Sequence, residues 1–268
     1  MEQISSIEQL RELQTSIRQK RLGYLTNFYI DEYKHNVWIN EGDFFYILYE
    51  STVFFIKRSH TFWNVFYSCT TIESLCESLC HLKLEYPLIE FILDIVGKDT
   101  QCNQIVSKLT NIGCKLASSL VRMSKITEET DFYEDAKISY PNEDEVKKVF
   151  EYLHKYFDEK TEQLPYLKEL QSYANDGHIL VYKEEGDIAG FLIHEMNNTT
   201  NYLRYWFTHP NYRDKKIGSK LLRHFFKIGE DTKRQIFWVI QSNENAIKRY
   251  RHYGFKEENM FDYVLMLK

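Results

Sequence analysis

Glycine and proline are scarce in this chain, with Gly 10 and Pro 4 among 268 residues. That excludes collagen-like repeats and linker-like architecture, which need far more of both. Long apolar runs are missing too. No stretch approaches the roughly 18 uncharged apolar residues of a membrane span, so no membrane partner is expected. The opening residues, Met1 to Glu8, carry neither the basic region nor the apolar run of a secretory signal. Cysteine is sparse and odd in number: Cys69, Cys76, Cys80, Cys102 and Cys114. A chain of this length does not need disulfides to hold a core. These absences point to the cytoplasm. Cys76 and Cys80 would share a helix face beside His81, but no second ligand pair follows at finger-like spacing. They read as small buried thiols, and no metal is expected.

What is present describes a folded protein. Apolar residues make up 43% and charged residues 27%, and Tyr 20, Phe 18 and Trp 4 supply ample surface to bury. The length exceeds one domain of roughly 100–200 residues. The net charge of −5 is unevenly spread. Residues 204–256 hold thirteen Lys and Arg against four Asp and Glu, a balance of +9, which leaves −14 for the rest. One segment is built for an anion, while the whole does not look like a nucleic-acid binder. The acids are densest over 128–162, with twelve against five bases. Such a run is a solvated helix face or an entrance that attracts a cationic amine.

In the C-terminal half the periodicity reads clearly. A helix is expected over 142–156, capped by Asn142 with Glu145 three on, with Val146, Val149, Phe150, Leu153 and Phe157 on one stripe. A second helix follows over 164–174. Strands are expected over 178–183, 188–195 and 202–208, then a helix over 217–228. A strand over 235–240, a helix over 243–253 stopped by Gly254, and segments 255–256 and 261–267 finish the sheet. The N-terminal half repeats the order more weakly. It reads as a helix over 4–18, strands over 44–49, 53–57 and 62–68, a helix over 72–82, a strand over 89–96, a helix over 100–112 and a strand over 115–123. Lys57, Arg58, Ser59 and His60 read as a turn. The join falls near 125–140, where apolar periodicity lapses. Two tandem domains, 1–130 and 131–268, follow from that reading.

The chemistry lies in two blocks. In the first, a strand ends at Thr208, Pro210 stops it, and a basic loop feeds a helix at Ile217. A helix N-terminus offers free N–H groups and the positive end of the dipole. Gly218 removes a side chain where something must approach the backbone. Arg213, Lys215, Lys216 and Lys220 add charge, so the junction can cradle a pyrophosphate. In the second block Asn243 caps a helix, Ala246 and Tyr250 lie four apart on one face, and Gly254-Phe255 ends it.

Together these blocks resemble the GNAT (Gcn5-related N-acetyltransferase) superfamily. Its cofactor loop reads Arg/Gln-x-x-Gly-x-Gly/Ala, matched here by Arg213 and Gly218, with Lys216 where the family prefers Gly. Its later block reads Asn-x-x-Ala-x-x-x-Tyr-x-x-x-Gly-Phe, matched throughout by Asn243, Ala246, Tyr250, Gly254 and Phe255. The resemblance covers about 142–268. It implies an α/β fold with a mixed, mostly antiparallel twisted sheet and helices on both faces, the acyl-CoA N-acyltransferase fold. The N-terminal half, lacking both blocks, reads as a degenerate domain of the same kind.

The resemblance also implies a mechanism. Acetyl-CoA would lie where strands 202–208 and 235–240 splay apart. Backbone groups of Trp206, Phe207 and Thr208 would hold the pantetheine arm. Those of Asp214, Lys215, Lys216, Ile217, Gly218 and Ser219 would hold the pyrophosphate, with Lys216 as an ordinary helix start that adds charge. Asn243 and Ala246 complete the cofactor set, and Tyr250 would protonate the departing thiolate. A tyrosine, with an ordinary pKa of about 10, is protonated at neutral pH and can donate. His194 or Glu195, or else His209, is the candidate base. The expected activity is acetyl transfer from acetyl-CoA to a primary amine of a small molecule or peptide. Two alternatives stay open: a non-catalytic acyl-CoA-binding module, and a tRNA-dependent aminoacyl transferase of tandem type.

Overall fold

The computed structural model describes residues 1–59, 61–129 and 134–268. His60 of the expected turn, and 130–133 of the expected join, lie outside them. The chain forms two compact units, Met1–Leu120 with Asn259–Lys268, and Val121–Glu258. The division falls inside strand Lys115–Ile126 and again inside strand Lys256–Leu267. The sequence division at residue 131 keeps the last ten residues with the second half. In the structure, residues 261–267 pair antiparallel with strand Phe91–Gly97 of the first unit. The two expected C-terminal segments are one continuous strand.

The second unit is built on strands Ile179–Glu184, Asp187–Asn197 and Thr200–Thr208, which pair antiparallel in sequence order. Strand Arg234–Ile240 then adds parallel to Thr200–Thr208. Helix Glu143–Tyr156 starts with a capping box in which Asn142 and Glu145 each accept from the other's backbone N–H. Its Val146, Val149 and Leu153 pack with Phe191, Ile193, Tyr205 and Phe207 on one face of the sheet. Helix Ile217–Ile228 covers the opposite face. Its Ile217, Leu221, Leu222, Phe225 and Phe226 form one buried stripe. Burying such side chains contributes about 2 kcal/mol apiece. Gly190 lets this helix close on the sheet, since a Cβ there would meet Ile217 Cγ2 at 2.9 Å and Phe207 O at 2.8 Å.

Strand Thr200–Thr208 carries a bulge. Ile193 stands opposite Tyr205 but His194 opposite Leu203, so Arg204 is the extra residue. The parallel ladder with Arg234–Ile240 runs only from Thr200↔Arg234 to Tyr202↔Ile236. Beyond it the two strands part, as the family resemblance implied.

The first unit shows the same order. Strands Phe44–Leu48, Thr52–Arg58 and Trp63–Cys69 form an antiparallel run, and Phe91–Gly97 adds parallel to the last. That ladder also stops early, at Asn64↔Ile92. Here the chain bridges its own gap. Tyr67 N donates to Asn27 Oδ1 (2.7 Å), and Asn27 Nδ2 donates to Asp94 O (2.9 Å). One helix went unread in the sequence, Glu32–Glu41. It buries only His35, Val37 and Trp38, which form no clear periodic stripe, and it stops at the left-handed Gly42. Of the cysteines, Cys69, Cys102 and Cys114 are buried, Cys76 is half-buried, and Cys80 is exposed rather than buried as expected.

Candidate active site

Where the two strands of the second unit part, a cleft of about 720 Å³ opens. Trp206, Phe207 and Thr208 line it from the sheet, and Arg213, Lys216, Gly218 and Ser219 from the loop and helix start. Asn243, Ala246 and Tyr250 line it from helix Glu244–His252. Ten of the residues named from the sequence thus meet around one opening. Asp214 and Lys215 are exposed but do not line it, and the Ile217 side chain is buried in the core.

The helix start depends on local backbone. Pro210–Lys215 forms a 3-10 turn, and Lys216 then takes φ 56 and ψ 23. The expectation of an ordinary helical Lys216 is therefore corrected. This is the left-handed region that a glycine occupies freely, and a lysine there costs about 1–2 kcal/mol. Gly218 sits against the sheet. A Cβ added there would stand 3.0 Å from Trp206 Cζ2 and 3.3 Å from Thr208 Oγ1. The glycine keeps this corner open, and the buried Trp206 Nε1 beside it has no hydrogen-bond partner.

The basic segment divides in two. Lys215 pairs with Glu184 at 3.0 Å. Lys220 pairs with Asp135 at 2.8 Å and donates to the Tyr182 hydroxyl at 3.0 Å. These two cations are neutralised and do not line the cleft. The cations that do are Arg213, Lys216 and Arg249, and no carboxylate stands among the lining residues described. Free N–H groups at a helix start and three cations suit a diphosphate, and unpaired strand edges suit an amide-bearing arm. The residues present therefore fit a coenzyme A thioester.

Tyr250 is held by rings on two sides, Phe237 at 4.4 Å and Trp206 at 5.7 Å between centroids. Its hydroxyl makes no hydrogen bond among the described residues, leaving it available to the cleft. Burial pushes the phenol up to about 12, against an opposing pull from Arg249.

His194 and Glu195 are not at the cleft. His194 is buried, with Nδ1 3.0 Å from Asn201 Oδ1. Burial and the neighbouring His178 hold its pKa down at about 4. Asn201 Nδ2 already donates to Phe225 O, so the shared proton belongs to His194 Nδ1. Glu195 accepts from the Tyr173 hydroxyl at 2.6 Å and stands 3.4 Å from Arg204. His209 shares a contact of 3.2 Å with the Tyr156 hydroxyl, while its Nδ1 accepts from Asn211 N. The acids of 128–162 are largely engaged, as in Glu145–Lys183 and Asp135–Lys220.

Four lining residues were missed: Tyr156, Phe157, Arg249 and Tyr253. Tyr253 was legible, since it follows Tyr250 by three on the same helix face, and its hydroxyl meets Ser219 Oγ at 2.7 Å. Arg249 adjoins Tyr250 in the recognised block. Tyr156 and Phe157 are remote in sequence, and nothing local marks them.

Residues 131–255 match the family model described as acetyltransferase (GNAT) family. They form a GNAT-family domain. Solved structures similar to most of the chain include a GCN5-related N-acetyltransferase from Sphaerobacter thermophilus, with TM-score 0.58, 12% identity, and 82% of this chain and 81% of that one covered. An acetyltransferase of the GNAT family from Colwellia psychrerythraea gives TM-score 0.54 and 11% identity, covering 98% and 97%. A tandem GNAT protein from the clavulanic acid biosynthesis pathway gives 0.55 and 10%, covering 81% and 78%. At these identities the likeness is one of fold. No curated protein matches the sequence. Among the described residues, no helix is long and apolar enough to cross a membrane.

Proposed function

We propose that the GNAT domain moves an acetyl group from acetyl-CoA to a primary amine of a small molecule or peptide, by direct attack. The observation that carries this reading is the parted strand pair opening onto Gly218, with Arg213, Lys216 and Arg249 around it and Tyr250 alongside. The amides from Lys216 to Ser219 and the three cations hold the diphosphate. Free backbone groups of Trp206, Phe207 and Thr208 hold the pantetheine arm and polarise the thioester carbonyl.

Tyr250 keeps its proton throughout the physiological range and donates a hydrogen bond to the departing sulfur. An ordinary thiol has a pKa of about 8.5, so full transfer from a phenol at about 12 is uphill. The hydrogen bond stabilises the thiolate, and the proton that finally neutralises it is the one the attacking nitrogen sheds as the C–S bond breaks and the amide forms. With His194 and Glu195 away from the cleft, the amine enters in its neutral form, having lost a proton to water.

The test is thiol release from acetyl-CoA by the full chain across a panel of amines, followed by mass spectrometry of the acceptor. At least one amine is expected to gain 42 mass units (about one acetyl group). Release no faster than the protein-free blank with every amine would contradict the proposal.

A further inference from the structure

Arg204 is the residue that the strand ladder leaves out, and a bulge of this kind re-aims a side chain. Its guanidinium lies over the rings of Tyr202 at 5.2 Å and Tyr205 at 5.8 Å. Its Nε stands 3.4 Å from Glu195 Oε1, and the Tyr173 hydroxyl donates to that same oxygen. The fork is thus fixed in place from behind.

A guanidinium carries five N–H donors in a planar fork. Among the described residues, none of those of Arg204 makes a hydrogen bond, and Glu195 is its ion-pair partner through Nε alone. Buried donors are ordinarily satisfied. Here 21% of the side chain is exposed, and no nitrogen of Arg204 is among the fully buried polar atoms that lack a partner, so the unused donors reach solvent. That pattern differs from a structural arginine, whose donors are spent on carbonyl groups.

The position is informative as well. Pairing with Arg234–Ile240 ends at Tyr202↔Ile236, so Arg204 lies two residues into the parted stretch. Trp206, two residues on, lines the cleft from the face that carries Gly218. Arg204 faces the other way, toward Tyr173 of helix Leu167–Asn175. An acceptor that approached the parted stretch from this face would pass the fork.

We propose that Arg204 binds a carboxylate of the acceptor, so that the acceptor class is amino acids or short peptides rather than polyamines or plain alkylamines. This rests on the acetyl-transfer reading above for the role of the ligand, though not for its binding. Arginine and carboxylate match in geometry, two parallel N–H donors to two oxygens. A site built for that contact rejects the uncharged carboxamide, because the fork is left unpaired.

The experiment is a calorimetric titration of the CoA-saturated full chain with N-acetyl amino acids and their matched carboxamides. Wild type is expected to bind at least one acid tenfold or more tighter than its carboxamide. Arg204→Met combined with Glu195→Gln removes the fork without stranding a buried carboxylate, and a melting curve checks its fold. In that variant the acid-to-carboxamide ratio is expected to fall below twofold, with carboxamide affinity within threefold of wild type. Arg204→Lys is expected to retain part of the preference as a point charge. Equal binding of acids and carboxamides by wild type, or a preference that survives the double variant, overturns the proposal. Because the titration needs no turnover, a preference that vanishes with Arg204 stands even if no acetyl transfer is found. Transfer without any such preference removes the subsite and leaves the proposed function intact.

Discussion

The phenol ring of Tyr250 lies 5.7 Å from the indole of Trp206, helix against strand, at the place where the sheet parts. The two residues come from blocks about forty positions apart in sequence, and the fold sets them on the walls of one cleft. If the hydroxyl serves the departing sulfur, Tyr250→Phe removes that service and little packing. Turnover is expected to fall at least tenfold, with acetyl-CoA affinity within about threefold of wild type, in steady-state kinetics paired with calorimetry. Unchanged turnover would remove Tyr250 from the chemistry.

The corner at Gly218 makes a different demand. A methyl group there presses on Trp206 Cζ2 and Thr208 Oγ1. Gly218→Ala is therefore expected to weaken acetyl-CoA binding by about tenfold or more, roughly 1.4 kcal/mol, while the melting temperature moves only a few degrees. Affinity equal to wild type would mean that the ligand does not approach this backbone.

Lys216 offers a test of opposite sign. Its left-handed backbone stores about 1–2 kcal/mol that a glycine would not. Lys216→Gly is expected to raise the melting temperature and, by removing a cation from the cleft, to weaken acetyl-CoA modestly. A lower melting temperature would contradict this account of the turn.

Two buried histidines set the response to acid. Burial lowers His194 to about 4 and His35 to about 3. Between those values and about 6.5, the ordinary pKa of histidine, the unfolded chain binds more protons than the folded one. Stability is therefore full above about 6.5 and is lost as pH falls toward the folded values. Melting temperature is expected to drop between pH 7 and pH 5. His194→Asn keeps the donor to Asn201 and is expected to flatten that drop; an unchanged slope would acquit His194.

Legibility in the sequence followed the physics of each element. Helix Ile217–Ile228 was read to the residue because its stripe and its boundaries are both strong. Arg213, Gly218, Asn243 and Tyr250 were found because cradle and cap need particular residue types at fixed spacing. Helix Glu32–Glu41 was invisible because tertiary packing of His35 and Trp38, not periodicity, holds it. The candidate bases His194 and Glu195 were chosen for lying on the strand before the parted pair, but neither lines the cleft, and the bulge at Arg204 shifts the register at His194. The pairing of Lys215 and Lys220 with Glu184 and Asp135 could not be seen either, since charge counts ignore distant partners.

The first unit bears on stoichiometry. Its parted strands are bridged by Asn27, which bonds both Tyr67 and Asp94 from its own side chain. The second unit keeps its gap free. Calorimetric titration of the purified full chain with acetyl-CoA tests the central claim most directly. The account predicts saturable binding of one molecule per chain, weakened by rising salt because the diphosphate is held by Arg213, Lys216 and Arg249. No heat of binding, or binding indifferent to both salt and Gly218→Ala, would contradict it.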